Sequence, residues 1–79
     1  MRIDKFLKVS RLIKRRTVAN SACDGERISV NGRAVKASYQ VKPGDVIEIA
    51  LGRRTLKVEV TDVSETVRKE DAAMMYKEI

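Results

Sequence analysis

The strongest constraint on the fold is a change in the spacing of apolar residues after the first third of the chain. Before the change, apolar residues recur three and four positions apart, as in Ile3, Phe6 and Leu7, which is the spacing of one helix face. After it, Ile28 and Val30 alternate with polar residues, which is the spacing of a strand. The chain is therefore predicted to be α+β, with two packed N-terminal helices on a small, bent antiparallel sheet.

A second helix is predicted from small and apolar residues with i, i+4 spacing: Val18, Ala19, Ala22 and Cys23. Thr17 is predicted to be its N-cap, because a threonine hydroxyl can accept a hydrogen bond from a free backbone N–H of the first turn. Asp24 and Gly25 are predicted to end it, with Gly25 as the left-handed residue. The small side chains indicate close packing against the first helix, and Cys23 is interpreted as a core residue.

The remainder of the chain is predicted to be a sheet followed by a helix. Asn31-Gly32 is a tight-turn signal, and two apolar rows are expected to face inward across a hairpin: Ile47, Ile49 and Leu51, then Leu56, Val58 and Val60. Ser64 or Thr66 is predicted to begin a C-terminal helix. The chain is thus expected to form a single domain over 1–79, with a core motif over 1–60 and a helical tail over 64–79.

Positive charge is concentrated where the two helices are predicted. The formal net charge is +6, and eight of the 17 lysines and arginines lie in the first 27 residues, against three acids. Such clustering in a small basic domain is typical of nucleic-acid binding. A membrane surface is the competing polyanion, but the sequence has no long amphipathic helix with aromatic anchors. It has no apolar run of spanning length and no signal peptide pattern, so no membrane association is expected.

Catalysis is not expected of this chain. It contains no histidine and one cysteine, so the usual general base and the usual nitrogen and sulfur ligands of a metal site are missing. No phosphate-binding glycine loop or nucleophile motif is present, and no cofactor is expected. A single cysteine also fits a reducing compartment, so a cytoplasmic location is expected.

An ordered series of short motifs resembles the RNA-binding domain first described in ribosomal protein S-four, also called the alpha-L motif. The motifs lie within residues 1–51: Arg2-Ile3-Asp4-Lys5-Phe6-Leu7, Ser10-Arg11, Arg15-Arg16-Thr17, Ala19, Ile28-Ser29-Val30-Asn31-Gly32, Lys36-Ala37-Ser38 and Gly44-Asp45-Val46-Ile47. The sequence departs from the family pattern at Asp24-Gly25-Glu26-Arg27, where an Asp-Gln-Gly-Arg turn is more usual. By this resemblance the RNA-binding residues are Arg2, Asp4, Lys5, Lys8, Arg11, Arg15, Arg16, Lys36 and Ser38.

The short tail and the run from Val9 to Thr17 are similar to the stand-alone RqcP family of Gram-positive bacteria. This resemblance implies binding to rRNA and peptidyl-tRNA on the free large ribosomal subunit. There the family acts with RqcH and stabilises the tRNA during C-terminal alanine tailing of stalled chains, in ribosome-associated quality control. A heat-shock-type recycling factor or a regulatory RNA-binding protein acting without RqcH is the alternative.

Several assignments keep a second interpretation. Lys5 and Lys8 are either RNA contacts or the solvated side of the first helix, and Asp4 either contacts RNA or orients Arg2. Arg53 and Arg54 are either a second RNA contact or an exposed basic turn. An adaptor for another protein, anchored by a C-terminal cluster, also stays open: Met74, Met75 and Tyr76. The small size and polar surface favour a monomer.

Overall fold

Helix α1 spans Ile3–Val9 and helix α2 spans Arg16–Asp24 in the computed structural model, which describes residues 1–63 and 69–79. The predicted apolar face of α1 is completely buried: Ile3, Phe6 and Leu7 are all 0% exposed. Ala19 and Cys23 bury the inner face of α2, which confirms this predicted pair and the core position of Cys23. The other predicted pair is not buried: Val18 is 52% exposed and Ala22 is half-buried. The two helices pack directly against each other.

The ends of α2 differ from the prediction. Arg15, not Thr17, is the N-cap residue, with extended backbone and no capping bond from its side chain. At the other end the helix stops at Asp24 as predicted, but Gly25 has φ −83° and Glu26 has φ 59°. Glu26, rather than Gly25, therefore takes the left-handed conformation at this turn. The amide of Arg27 donates to the carbonyl of Ala22 (2.9 Å) and closes the helix end.

Within residues 1–63 and 69–79, five strands form one antiparallel sheet in the order β2-β1-β3-β4-β5. Their bounds are β1 Ile28–Val30, β2 Arg33–Ala34, β3 Val46–Leu51, β4 Arg54–Val60 and β5 Tyr76–Glu78. The first strand, the turn at Asn31-Gly32 and the β3–β4 hairpin confirm the sequence prediction. Strands β2 and β5 were not predicted, since each has no more than three residues and too little alternation to detect.

The predicted C-terminal helix requires a correction. Residues Lys69–Met75 form a 3₁₀ helix, and the chain then pairs with β4 as strand β5, where Val60 is opposite Tyr76. The backbone hydrogen bonds of Tyr76–Glu78 are thus made to a neighbouring strand rather than within a helix. The proposed helix starts, Ser64 and Thr66, lie outside the described residues.

The core lies between the two helices and the inner face of the sheet. Ile47, Ile49, Val58 and Val60 are buried as predicted, whereas Leu51 is 46% exposed because it lies at the hairpin end beyond the helices. Met75 is buried and Met74 is 74% exposed, so only one of this pair fills the core. The outward side of β3 and β4 carries a surface ion pair between Lys57 Nζ and Glu48 Oε1 (3.7 Å).

Candidate nucleic-acid interface

Asp4 is the centre of the polar contacts between the two helices. Its Oδ2 accepts a hydrogen bond from Nη2 of Arg2 (3.3 Å) and lies 3.3 Å from Nε of Arg16. Nδ2 of Asn20, one turn after Arg16 on α2, donates to the same oxygen (3.5 Å), while Oδ1 accepts the backbone N–H of Lys5 (2.8 Å). One carboxylate thus holds two guanidinium groups from separate parts of the chain.

The surroundings of Asp4 favour its charged form. Burial alone would raise the pKa of the Asp4 carboxyl, which is only 2% exposed. Hydrogen bonds from Arg16, from the Lys5 amide and from Asn20 outweigh that effect, so the pKa lies below its ordinary value of 3.8. Asp4 is therefore a buried anion at neutral pH, and its partners Arg2 and Arg16 keep nearly half of their side-chain surface in solvent.

The start of α1 is fixed by the turn at Ala37 and Ser38 and the residue after it, rather than by a capping side chain. The amide of Ile3 donates to the carbonyl of Tyr39 (2.7 Å), and the amide of Asp4 donates to that of Ala37 (3.3 Å). Arg2 forms an isolated antiparallel bridge with Gln40. These bonds satisfy two of the amides that a helix start leaves free, and they bring Lys36 and Ser38, on either side of buried Ala37, close to the beginning of α1.

A shallow depression surrounds the Asp4 cluster between the two helix starts. Its lining combines charged and small polar side chains: Arg2, Asp4, Arg16, Thr17, Asn20 and Ser21. Asn20 was not among the predicted site residues, although its i+4 spacing from Arg16 places both on one face of α2. Guanidinium, amide and hydroxyl groups here offer hydrogen bonds to phosphate and ribose oxygens.

A second depression lies at the other end of α1 and is lined by Lys8, Val9, Arg11 and Lys14. Arg11 has φ 64°, a left-handed conformation that is unfavourable for an arginine. Its amide donates to the carbonyl of Lys8 (3.0 Å), which closes the helix end. In residues 1–63 and 69–79, none of Lys8, Arg11 and Lys14 forms an ion pair with a carboxylate.

The structure brings most of the predicted residues into these two depressions. Arg2, Asp4 and Arg16 are in direct contact, and Arg15 is exposed at the start of α2. Lys5 is partly buried, and Ser38 is exposed. Lys36 lines a third depression, together with Cys23, Asp24 and Glu26. The role of all these residues in RNA binding stays a prediction.

The described parts of the chain offer no grouping of His, Cys, Asp and Glu side chains able to hold a metal ion. In the same residues, no helix has the length and apolar character needed to cross a bilayer.

Comparison with known proteins shows the family of this chain. The profile of the S4 domain matches residues 1–47, which include α1, α2 and β1. The chain is 57% identical over 76 residues to the RQC P-site tRNA stabilizing factor of Halalkalibacterium halodurans, covering 96% of this chain and 86% of that protein. It is 54% identical over 76 residues to the factor of the same name from Bacillus subtilis, covering 96% and 88%.

The fold has a solved counterpart as well. Heat Shock Protein 15 of Vibrio cholerae, described as trimeric, superposes with a TM-score of 0.92 at 28% identity, covering 100% of this chain and 81% of that one. These findings confirm the alpha-L fold and favour the tRNA-stabilizing relatives over the heat-shock-type alternative, whose identity to this chain is about half as high. The chain belongs to the S4 domain family and, within it, to the family of RQC P-site tRNA stabilizing factors.

Proposed function

We propose that this chain binds structured RNA through the α1–α2 surface, defined as the two depressions and the residues beside them. Its cationic members are Arg2, Lys5, Lys8, Arg11, Lys14, Arg15 and Arg16. The observation that carries the proposal is the Asp4 cluster: one buried carboxylate orients Arg2 and Arg16 while leaving their side chains half exposed. A fixed, accessible guanidinium can clamp phosphate at two points.

Two features of the surface favour duplex or folded RNA over single strands. Its cations lie on two short helices at fixed positions, which suits recognition of RNA by shape, phosphates and 2′-hydroxyls. Aromatic residues make up only 4% of the chain, and the α1–α2 surface contains none, so stacking of unpaired bases has no platform. Its ligand is therefore a structured polynucleotide backbone, with Ser38 and Lys36 at the margin.

By similarity to the tRNA-stabilizing relatives, the chain acts on the free large ribosomal subunit. There it binds rRNA and peptidyl-tRNA and stabilises the tRNA while stalled chains receive alanine tails, with RqcH as the partner that supplies alanyl-tRNA. It works in the cytoplasm, as a monomer and without enzymatic activity of its own. Identities of 57% and 54% over 96% of the chain support this assignment.

The experiment is a binding titration of purified large ribosomal subunits carrying peptidyl-tRNA, repeated at several salt concentrations. We expect affinity to fall steeply with salt, since each neutralised phosphate releases counterions. Arg16→Ala should weaken binding by about 1–3 kcal/mol. Lys77→Ala removes an exposed cation from the edge strand β5 and should leave binding unchanged. Equal affinities for the two variants, or a flat salt profile, would refute the proposal.

Dependence on RqcH separates the two candidate roles. Recovery of this chain with large subunits only from cells that contain RqcH supports the quality-control role. Equal recovery from cells lacking RqcH would instead indicate the heat-shock-type recycling role suggested by the structural similarity to Heat Shock Protein 15.

A further inference from the structure

Two arginines lie at the tip of the β3–β4 hairpin, which the α1–α2 surface does not include. The β3–β4 hairpin pairs Leu51 with Arg54, so that Gly52 and Arg53 form a two-residue turn. The amide of Ala50 donates to the carbonyl of Arg27 (2.9 Å), which fixes the segment before β1 beside the end of β3. Arg53 and Arg54 are both exposed. We call this pair the hairpin-tip cluster.

The backbone at the hairpin tip has the geometry of a regular tight turn. Gly52 has φ 63° and Arg53 is not in the left-handed region, the combination expected of a type II′ turn. This turn matches the twist of paired strands, and six residue pairs hold β3 to β4. Arg53 and Arg54 are therefore presented at a fixed position by a paired hairpin.

Helix α2 separates the cluster from the α1–α2 surface. Arg16 is the first residue of α2, and Arg27 follows its last residue, Asp24, by three positions. Nine helical residues rise by about 13 Å, so Arg16 and Arg27 lie at opposite ends of the helix. Because the backbone of Arg27 lies beside Ala50 at the end of β3, the hairpin tip is near the end of α2 that is far from Arg16.

The charges of the cluster are not neutralised within the described chain. Residues 49–58 contain Arg53, Arg54 and Lys57 and no acid. Lys57 pairs with Glu48, but among residues 1–63 and 69–79 no carboxylate lies within ion-pair distance of Arg53 or Arg54.

From this arrangement we propose that the hairpin-tip cluster is a second RNA contact, which binds the phosphodiester backbone of a segment other than the one held by the α1–α2 surface. The inference rests on the proposed RNA-binding function and extends it: the chain is a two-sided clamp with Arg2 and Arg16 on one side and Arg53 and Arg54 on the other. Arginine forks suit the task because they bind phosphate oxygens bidentately.

The test compares two double variants with the same change in net charge. Arg53→Ala/Arg54→Ala removes two cations from the cluster, and Lys42→Ala/Lys77→Ala removes two exposed cations elsewhere. Each is titrated against purified large ribosomal subunits and against deproteinised rRNA from the same subunits, at several salt concentrations. All four substituted side chains are exposed, and thermal unfolding of each variant checks that the fold is kept.

Loss of two phosphate contacts should weaken binding of the Arg53→Ala/Arg54→Ala variant roughly 10–50-fold at 0.1 M salt and lower the salt slope by about 1.5. The lysine control should stay close to wild type. Affinity and slope equal to those of the control would overturn the inference, as would a weaker affinity with an unchanged slope, which indicates a protein partner.

Arg16→Ala measured in parallel separates the two proposals. If Arg16→Ala weakens binding and Arg53→Ala/Arg54→Ala does not, the hairpin-tip contact is refuted while the α1–α2 surface stands. If the wild-type chain binds neither probe, the proposed function itself fails.

Discussion

Nε of Arg16, the first residue of α2, lies 3.3 Å from Oδ2 of Asp4 in the first turn of α1. This ion pair joins the two helix starts. Arg2, the residue just before α1, contacts the same oxygen. A buried anion between two half-exposed cations fixes the position of both guanidinium groups before any ligand arrives. Asp4 therefore acts as a positioning residue for Arg2 and Arg16.

Asp4→Asn tests this role because the change in net charge and the loss of the Arg2 and Arg16 ion pairs have opposite expected effects on RNA affinity. The substitution raises the net charge by one, which by itself strengthens RNA binding. We expect weaker binding to large ribosomal subunits, because Arg2 and Arg16 lose the partner that orients them. The free energy of unfolding should fall by about 1–3 kcal/mol, the range for a hydrogen bond to a charged group.

Asp24→Asn is the matched control, since it makes the same charge change at an exposed carboxylate that the structure leaves without an ion pair in residues 1–63 and 69–79. Urea titrations and affinity measurements on both variants check the result. An Asp4→Asn variant that binds more tightly than wild type would show that Asp4 only repels RNA.

The depressed pKa of Asp4 predicts a pH dependence of stability. Its folded-state pKa lies below the ordinary 3.8, because hydrogen bonds to the carboxylate outweigh burial. The stabilisation is therefore fully present above the ordinary pKa and is lost as the pH falls through the lower folded-state value. Urea midpoints measured from about pH 6 to about pH 3 should fall more steeply for wild type than for Asp4→Asn. Parallel curves for the two proteins would contradict the prediction.

Arg11→Gly should stabilise the fold and weaken RNA binding at the same time. Arg11 has φ 64°, where glycine avoids steric strain, so we expect a gain of about 0.5–1 kcal/mol in the free energy of unfolding. Lys8→Gly removes the same charge from within α1 and should lower the free energy of unfolding by about 1 kcal/mol. Thermal unfolding checks both, and a destabilised Arg11→Gly variant would show that contacts of the arginine outweigh its backbone strain.

Glu26→Gly is expected to stabilise the turn after α2. Glu26 has φ 59°, and relief of this strain should raise the free energy of unfolding by about 0.5–1 kcal/mol. Asp24→Gly removes the same charge two residues earlier, at a helical position, and should lower the free energy of unfolding by a similar amount. Urea midpoints that shift in the same direction for both variants would refute this interpretation.

Cys23 should react with thiol reagents only when the protein unfolds. Its side chain is 3% exposed, and burial, with smaller contributions from Asp4 and Asp24, raises the pKa of the thiol to about 11. The reactive thiolate is therefore scarce near pH 8. The rate of colour release from a disulfide reagent should be slow in buffer and rise with urea along the unfolding curve. Rapid reaction of the folded protein would be inconsistent with this burial.

The sequence by itself determined the parts of the fold that depend on local spacing. The spacing of Ile3, Phe6 and Leu7 predicts the buried face of α1, and the alternation around Ile28 and Val30 predicts a strand, because each period follows from the geometry of one element. The turn at Asn31-Gly32 is equally local, since asparagine and glycine tolerate positive φ. Charge clustering near the N-terminus by itself indicates a polyanion partner.

Tertiary structure alone decided which distant residues meet. Strand β5 exists because β4 offers it a free edge, and the pairing of Val60 with Tyr76 overrides the helical spacing of the tail. Asn20 reaches Asp4, and the carbonyl of Arg27 accepts the amide of Ala50, only because the helices and strands pack as they do. The left-handed residue after α2 is Glu26 rather than Gly25, since the turn must deliver the chain in register to β1. Such contacts depend on how elements pack, and spacing within one element carries no information about them.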